Sequence, residues 1–479
     1  MPLLDPTLWQ DGPTLTGGPA PVVEPATGRV LATIDLAAPA DVAEAAVRAR
    51  AAQPGWARST HLERAAVLRR AGDLFAGHAE ELSTWLVRES GSIPGKAAFE
   101  LHVAAQECYE AAALASRPTG QVLRSEAPRL SYTTRVPAGT VGVIAPFNAP
   151  LILAIRSVAP ALALGNAVLL KPDRRTAVCG GLALAAVFAA AGLPDGLLHV
   201  LPGGADTGTA VVTEPGVRVL SFTGSTATGR TVGELAGRHL KRAHLELGGN
   251  SALLVLADAD VEAAVAQATW GSFFHQGQIC MTAGRHLVHV SLYDEYVERL
   301  AARAESLAVG DPYREQFHLG PVIDQAQRDR IHALVEASTA QGAKLVAGGT
   351  HQDLFYRPTV LAGVADDTPA YAEEVFGPVA PVRSFVTEDE AVALASGGPY
   401  GLSLGIVTAD TARGLELAER IPTGIAHIND QTVNDEAVAP FGGIGVSGTG
   451  ARFGGEANLD AFTELRWTTA RRTAAGHPF

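Results

Sequence analysis

Cysteine and methionine are scarce, three and two in 479 residues. Cys108, Cys179 and Cys280 stand far apart without a CxxC pair, which excludes a disulfide framework and a zinc ribbon and points to a reducing compartment, the cytoplasm. HExxH, an EF-hand loop, a Walker A motif and any Cys/His cluster are missing too, so no metal is expected. Positive charge is short: 37 Lys and Arg against 50 Asp and Glu give a net charge of −13, with no basic face, tail or arm. That argues against nucleic acid and anionic membrane surfaces as partners. Long apolar runs are also lacking. The longest, residues 151–164 and 183–193, are broken by Arg156, Pro160 or Gly192 and are too short to span a bilayer. Residues 1–18 carry prolines and acids where a secretory signal needs a basic start and an apolar run.

What remains is the composition of an ordinary soluble enzyme, with 47% hydrophobic and 18% charged residues, 51 glycines and 29 prolines. Residues 41–52 and 61–90 repeat apolar side chains at helical spacing. From Val141 onward, short β-branched runs alternate with alanine-rich helical stretches, the rhythm of a doubly wound parallel sheet. A further strand, residues 217–222, runs into Thr223-Gly-Ser-Thr-Ala-Thr-Gly229 and then a helix, a plausible phosphate cradle. A second βα set spans residues 261 to about 426. The expected fold class is therefore α/β with two doubly wound domains. The polar, Pro-flanked segment 117–135 alternates at Leu130-Ser-Tyr-Thr-Thr-Arg-Val136 and reads as a hairpin leaving the first domain.

The chemistry concentrates in four segments. His244-Leu-Glu-Leu-Gly-Gly-Asn250 puts a glutamate on an apolar strand, where desolvation makes a mere solubilising role implausible. Phe273-Phe-His-Gln-Gly-Gln-Ile-Cys280 offers a nucleophile at a turn, although buried cysteines are usually structural. Pro146-Phe-Asn-Ala-Pro150 presents a side-chain amide where an oxyanion can form, and Leu170-Lys-Pro172 ends a strand with a cation. Gly443-Ile-Gly-Val-Ser-Gly448 matches GxGxxG, but it follows Pro440-Phe rather than a strand, so it reads as a glycine loop near the active site. Cys108 and Cys179, in alanine-rich helical stretches, read as small core hydrophobes.

Together with Glu373-Glu-Val-Phe-Gly-Pro378 and Pro440-Phe-Gly-Gly443, these segments resemble the aldehyde dehydrogenase superfamily over nearly the whole chain. The detail around Cys280, Lys171 and Arg156 is most similar to its benzaldehyde, vanillin and salicylaldehyde dehydrogenases. The resemblance implies NAD(P)-dependent oxidation of an aldehyde to an acid. Cys280 attacks, Asn148 and the Cys280 N–H hold the oxyanion, and Glu246 activates the hydrolytic water. It implies that Lys171 and Glu374 hold the riboses, Phe376 packs on the nicotinamide side, and Gly224 and Ser225 line the passage for the pyrophosphate or nicotinamide. It also implies a Rossmann-like cofactor domain (1–117 and 137–248), a catalytic domain (249–440), and an oligomerisation arm (118–136 and 464–479) that makes a homodimer or homotetramer. The rivals are a CoA-acylating dehydrogenase, which retention of Glu246 disfavours, and a silent binding protein that borrowed the fold.

Two features of this chain are open at the level of sequence. Arg174, followed by Arg175, stands three residues after Lys171, where many NAD-using relatives carry a glutamate; it either pairs with the 2′-phosphate of NADP or is solvated on a helix N-terminal turn. Ile152 and Arg156 follow Asn148 at helical spacing, and Phe274, Ile279 and Met281 flank the nucleophile, so a flat slot for an aromatic aldehyde is expected. Arg156 on so apolar a helix needs a partner, either a protein carboxylate or backbone carbonyls, or a polar substituent on the substrate ring.

Overall fold

Residues 3–4 and 15–476 are described by the computed structural model. Most of the 1–18 segment and the last three residues of the 464–479 arm lie outside the described residues.

Valine- and leucine-rich runs of three to seven residues build a five-stranded parallel sheet, in the order Leu198–Val200, Ala167–Lys171, Thr140–Ile144, Val217–Thr223 and Arg242–Glu246. Val141, Val168, Leu169, Leu170 and Val219 are fully buried because helices cover both faces. The chain starts at the central strand, works outward to Leu198–Val200, then returns to the other side of Thr140–Ile144. That reversal opens a crevice at the carboxyl ends of the strands.

Seven strands form the second sheet, in the order Lys344–Ala347, Thr359–Ala362, Val379–Phe385, Ala283–His289, Ser251–Val255, Ser403–Val407 and Ile425–Ile428; all pairs are parallel except the edge strand Lys344–Ala347. Only four residues separate Glu246, the last of the first sheet, from Ser251, the first of the second. After residue 440 the chain comes back to the first core, where Phe453 and Phe462 are buried. Leu130–Pro137 pairs antiparallel with Thr463–Ala470, while Leu123 and Thr133 exchange backbone hydrogen bonds with Ser131 and Gln121. The hairpin read in residues 117–135 is therefore present, with the C-terminal strand added to it.

Two helical stretches are interrupted. The run 61–90 is two helices, His61–Gly77 and Ala79–Ser90, meeting at His78. The stretch 176–191 is an α-helix only over Ala183–Ala190; a wide π turn, Val178–Leu182, precedes it. The buried Glu89 carboxylate accepts the N–H groups of Val178 at 2.9 Å and Cys179 at 2.7 Å, which satisfies amides that an ordinary first turn leaves free.

Candidate active site

Asn148, Lys171, Gly224, Ser225 and Glu246 all lie at the carboxyl ends of strands of the first sheet. Asn148 follows Thr140–Ile144, Lys171 ends Ala167–Lys171, Gly224 and Ser225 follow Val217–Thr223, and Glu246 ends Arg242–Glu246. Topology alone gathers residues spread over nearly a hundred positions into one crevice.

Cys280 stands just before the second-sheet strand Ala283–His289, and Gly249 presses against it. A Cβ at Gly249 would sit 2.2 Å from the Cys280 carbonyl oxygen, and one at Gly248 would sit 2.1 Å from Glu374 Oε2. The Gly-Gly pair is thus the spacer that lets the base strand, the nucleophile turn and Glu374 converge. Glu374 Oε1 accepts the Gly249 N–H at 3.0 Å, and burial raises its carboxyl to about 7.

Glu246 is buried. Its Oε2 accepts the Gly443 N–H at 3.3 Å, and burial, opposed by Arg156 and Arg452, raises its carboxyl to about 8. Burial also pushes the Cys280 thiol up to about 12, helped by the nearby Glu374 and Glu246 charges and opposed by Arg156. The sulfur therefore rests as a thiol rather than a thiolate, and any attack by it would need a base. The Gly443–Gly448 segment is a loop against Glu246, with Gly448 bridging to it, as its sequence context suggests.

Asn148 is buried at the start of helix Pro150–Ala163, and its side-chain amide makes no hydrogen bond among the described residues. Gly224 donates its N–H to the Glu246 carbonyl at 3.0 Å, which ties the phosphate turn to the base strand. The Ser225 hydroxyl caps helix Thr226–Arg238, accepting from the Thr228 N–H at 3.3 Å.

A groove of about 630 Å³ runs from Lys171 and Arg174 past Gly204 to Thr228, floored by Phe222, Val232 and Leu235. An apolar slot beside two cations and a helix N-terminus suits the adenosine and phosphates of a dinucleotide. The two adjacent arginines separate here. Arg175 pairs with Asp173 at 2.8 Å and Asp324 at 2.5 Å and lies over the Phe147 ring at 4.3 Å. Arg174 lines the groove without an ion pair among the described residues. Phe376, at φ 54°, packs edge-on against Phe147 at 5.8 Å, its carbonyl held by Gln327 Nε2 at 2.8 Å.

Around the nucleophile, Met281, Leu402 and Phe441 form an apolar cluster with Ile279, Val433 and the Cys280 side chain itself. Ile152 is buried on helix Pro150–Ala163, and Phe274 is half-buried, stacked on Trp270 at 4.2 Å. Arg156 has a protein partner: its Nη2 is ion-paired with Asp435, and its guanidinium lies 4.4 Å over the Phe441 ring. Of the three partners open from sequence, the carboxylate is the one found, while Arg156 Nε is buried with no partner among the described residues.

The signature described as "Aldehyde dehydrogenase family" matches residues 13–468. The chain belongs to that family. A vanillin dehydrogenase from Amycolatopsis sp. is 70% identical over 97% of this chain and 96% of its own length. A benzaldehyde dehydrogenase [NAD(+)] from Pseudomonas putida is 50% identical over 97% and 95%. Among solved structures, an NADP-dependent enzyme of E. coli superposes with a TM-score of 0.91 at 31% identity over 95% of both chains. An NAD+ complex of an aldehyde dehydrogenase from Bacillus cereus gives 0.92 at 32% identity over 95% and 94%.

Within this family site, several groups escape a reading of the sequence. Asp435 and Phe441 meet Arg156 from 279 and 285 positions away. Arg452 donates to the Gly443 carbonyl at 3.2 Å, behind the amide that holds Glu246. Glu107, fully buried with its carboxyl raised to about 8 by burial, faces Arg156 and Asp435. On a helical stretch of alanines and charges, nothing in the sequence marks it.

Proposed function

We propose that this enzyme oxidises an aromatic aldehyde of the benzaldehyde or vanillin type to its carboxylic acid, using NAD or NADP. The observation that carries this reading is that Cys280 sits in a small apolar cluster, that Glu246 ends the neighbouring strand across the Gly248–Gly249 spacer, and that Arg156 lies near both. The names of the two relatives above support the substrate class and NAD; the E. coli neighbour supports NADP as the second option.

Cys280 Sγ attacks the carbonyl carbon as Glu246 takes its proton, which a thiol near 12 requires. The oxyanion is held by the Asn148 amide and the Cys280 N–H. NAD(P), held by Lys171 and Glu374 at its riboses and bordered by Phe376, would supply the hydride acceptor. A thioester on Cys280 remains and Glu246 releases the thiol proton to solvent; Glu246 then draws a proton from water, the water oxygen bonds to the acyl carbon, the C–S bond breaks, the acid leaves, and the proton on Glu246 returns to the Cys280 sulfur. Lys171 and Glu374 hold the riboses, Phe376 borders the nicotinamide, Gly224 and Ser225 line the passage, and Ile152, Phe274, Ile279 and Met281 wall the ring slot. Arg156, through its unpartnered Nε, is the group that meets a polar ring substituent.

Residues 1–117 and 137–248 form the cofactor domain in this reading, residues 249–440 the catalytic domain, and 118–136 with 464–479 an arm. The arm carries exposed Leu130, Leu465 and Trp467, which supports a homodimer or homotetramer built through it. No helix among the described residues is long and apolar enough to cross a membrane. Three free cysteines, two of them buried, support a cytoplasmic location.

A panel of aldehydes assayed with NAD and NADP tests the reading. Benzaldehyde and vanillin are expected to exceed acetaldehyde clearly in kcat/KM, and Cys280→Ala to abolish turnover while keeping cofactor binding. Acetaldehyde matching benzaldehyde removes the aromatic slot. Turnover of Cys280→Ala within about tenfold of wild type removes the nucleophile.

A further inference from the structure

Helix Pro94–Leu114 places Lys96 and Glu100 one turn apart on a face turned into the protein, where their side chains are 3% and 0% exposed. The two form an ion pair. A Lys–Glu pair at this spacing ordinarily rides a solvated helix surface and contributes little. Burying both charges costs desolvation that their mutual attraction barely offsets, so the further bonds each one makes decide what the pair is for.

Those bonds all go to one place. Lys96 Nζ donates to the Asn148 carbonyl oxygen at 2.7 Å. Glu100 Oε2 accepts the N–H groups of Leu151 at 3.1 Å and Ile152 at 3.4 Å. These are the first amides of helix Pro150–Ala163 that can donate, because Pro150 has no N–H. One buried pair therefore grips the backbone at Asn148 and again at the helix start three and four residues further on. The Asn148 amide makes no hydrogen bond of its own among the described residues, so the backbone beneath it sets its direction. His275, in the segment that leads to Cys280, packs beside Lys96, and its ring lies against the same Asn148 carbonyl. Lys96 is the cation on that carbonyl.

We infer that Lys96 and Glu100 are positioning residues that aim the Asn148 side-chain amide at the oxyanion formed on Cys280. The inference rests on the reading of Asn148 as the oxyanion donor. Preorganised donors stabilise a transition state only if they point where charge develops, and small misplacements cost large factors in rate.

The test is a double-mutant cycle on the holoenzyme, with benzaldehyde as substrate. Lys96→Met/Glu100→Gln removes both buried charges together and leaves neither charge unpaired. It is compared with Asn148→Ala and with the combination of all three changes, with thermal melting and NAD titration alongside. Asn148→Ala is expected to lower kcat by roughly 10² to 10³. The pair exchange is expected to lower kcat by about 10 to 10², with the aldehyde KM and NAD affinity held within about threefold, and to lower it no further once Asn148 is alanine. If the pair exchange lowers kcat by the same factor in both backgrounds, or not at all, the inference is overturned and the Asn148 reading stands. If Asn148→Ala alone leaves kcat within about threefold, the oxyanion reading fails and takes the inference with it. Should the exchange not fold, Glu100→Gln alone goes through the same cycle with the same criteria. It keeps an oxygen acceptor for the helix amides and loses the charge that holds Lys96.

Discussion

The Gly443 N–H donates to Glu246 Oε2 at 3.3 Å, while Oε1 of the same carboxyl is buried with no partner among the described residues. One hydrogen bond is too little to keep a buried carboxylate ionised at ordinary acidity, so the group titrates at about 8 despite the opposing Arg156 and Arg452. An unoccupied oxygen on a group that titrates near neutrality is what a general base for water or thiol requires.

The pH dependence follows with its sign. The ionised form is the base, so when hydrolysis of the thioester limits turnover, kcat rises as pH climbs through about 8. Stability runs the other way. The folded pKa lies above the unfolded one, so the folded state holds the extra proton, and the contribution, fully present below about 4.3, is lost as pH rises through the folded value. Turnover and melting measured between about pH 6 and 10 check both limbs, and Glu246→Gln is expected to remove both. A wild-type kcat that stays flat over that range contradicts the assignment.

Glu246→Gln also separates the two roles of the base. If Glu246 acts only on water, the variant gives a burst of about one equivalent of NADH per site and then stalls as thioester. The thiol held near 12 argues for a role in attack as well, and then the burst itself is slowed along with turnover. Rapid-mixing absorbance at the NADH band reads the difference. Steady-state turnover equal to wild type excludes both roles.

Gly442 is expected to be intolerant of any side chain. A Cβ there would lie 2.7 Å from Glu246 Oε1 and 2.4 Å from the Ala451 carbonyl oxygen. Gly442→Ala should lower kcat by at least about tenfold by displacing the base, with cofactor affinity unchanged, since 1 Å at a reacting group can cost more than that. Wild-type turnover in this variant contradicts the close packing.

Asp435→Ala leaves the Arg156 guanidinium buried and unpaired, a loss on the order of 3 to 5 kcal/mol. Thermal or urea unfolding is expected to show it, with Asp435→Asn less damaging because the amide oxygen still accepts a hydrogen bond. A change within about 0.5 kcal/mol, as at an ordinary surface site, contradicts the pairing.

The candidate reactive residues were legible in the sequence because such chemistry leaves short local signatures: a glutamate before Gly-Gly, a cysteine after Gly-Gln, an asparagine between prolines. The alternating strands and helices announced the parallel sheet, which put the glutamate and the asparagine at its carboxyl ends, while the cysteine came from the turn before a strand of the second sheet. The supporting charges left no such mark. Nothing in the sequence singles out Lys96 and Glu100, because spacing alone does not say which face of a helix is inward. Arg156 announced its need for a partner, but Asp435 lies 279 residues away and only the folded chain joins them. The π turn at Val178–Leu182 depends on a carboxylate from Glu89, again a contact between distant segments.

Cofactor choice turns on what separates Arg174 from Arg175. Arg175 is committed, paired with Asp173 and Asp324 and stacked on Phe147, so its removal disturbs the fold of the loop rather than selectivity. Arg174 faces the groove beside Lys171 with no ion pair among the described residues, free to meet a phosphate or to remain in water. A charge-assisted bond from a guanidinium to a 2′-phosphate contributes about 1.5 to 3 kcal/mol, about ten- to a hundredfold in affinity. NADP is therefore expected to be used alongside NAD. Arg174→Ala should lower the ratio of NADP to NAD catalytic efficiencies by about tenfold or more, almost entirely through the KM for NADP, with the NAD value nearly unchanged. A ratio that does not move assigns Arg174 to solvent and places the discrimination elsewhere in the groove.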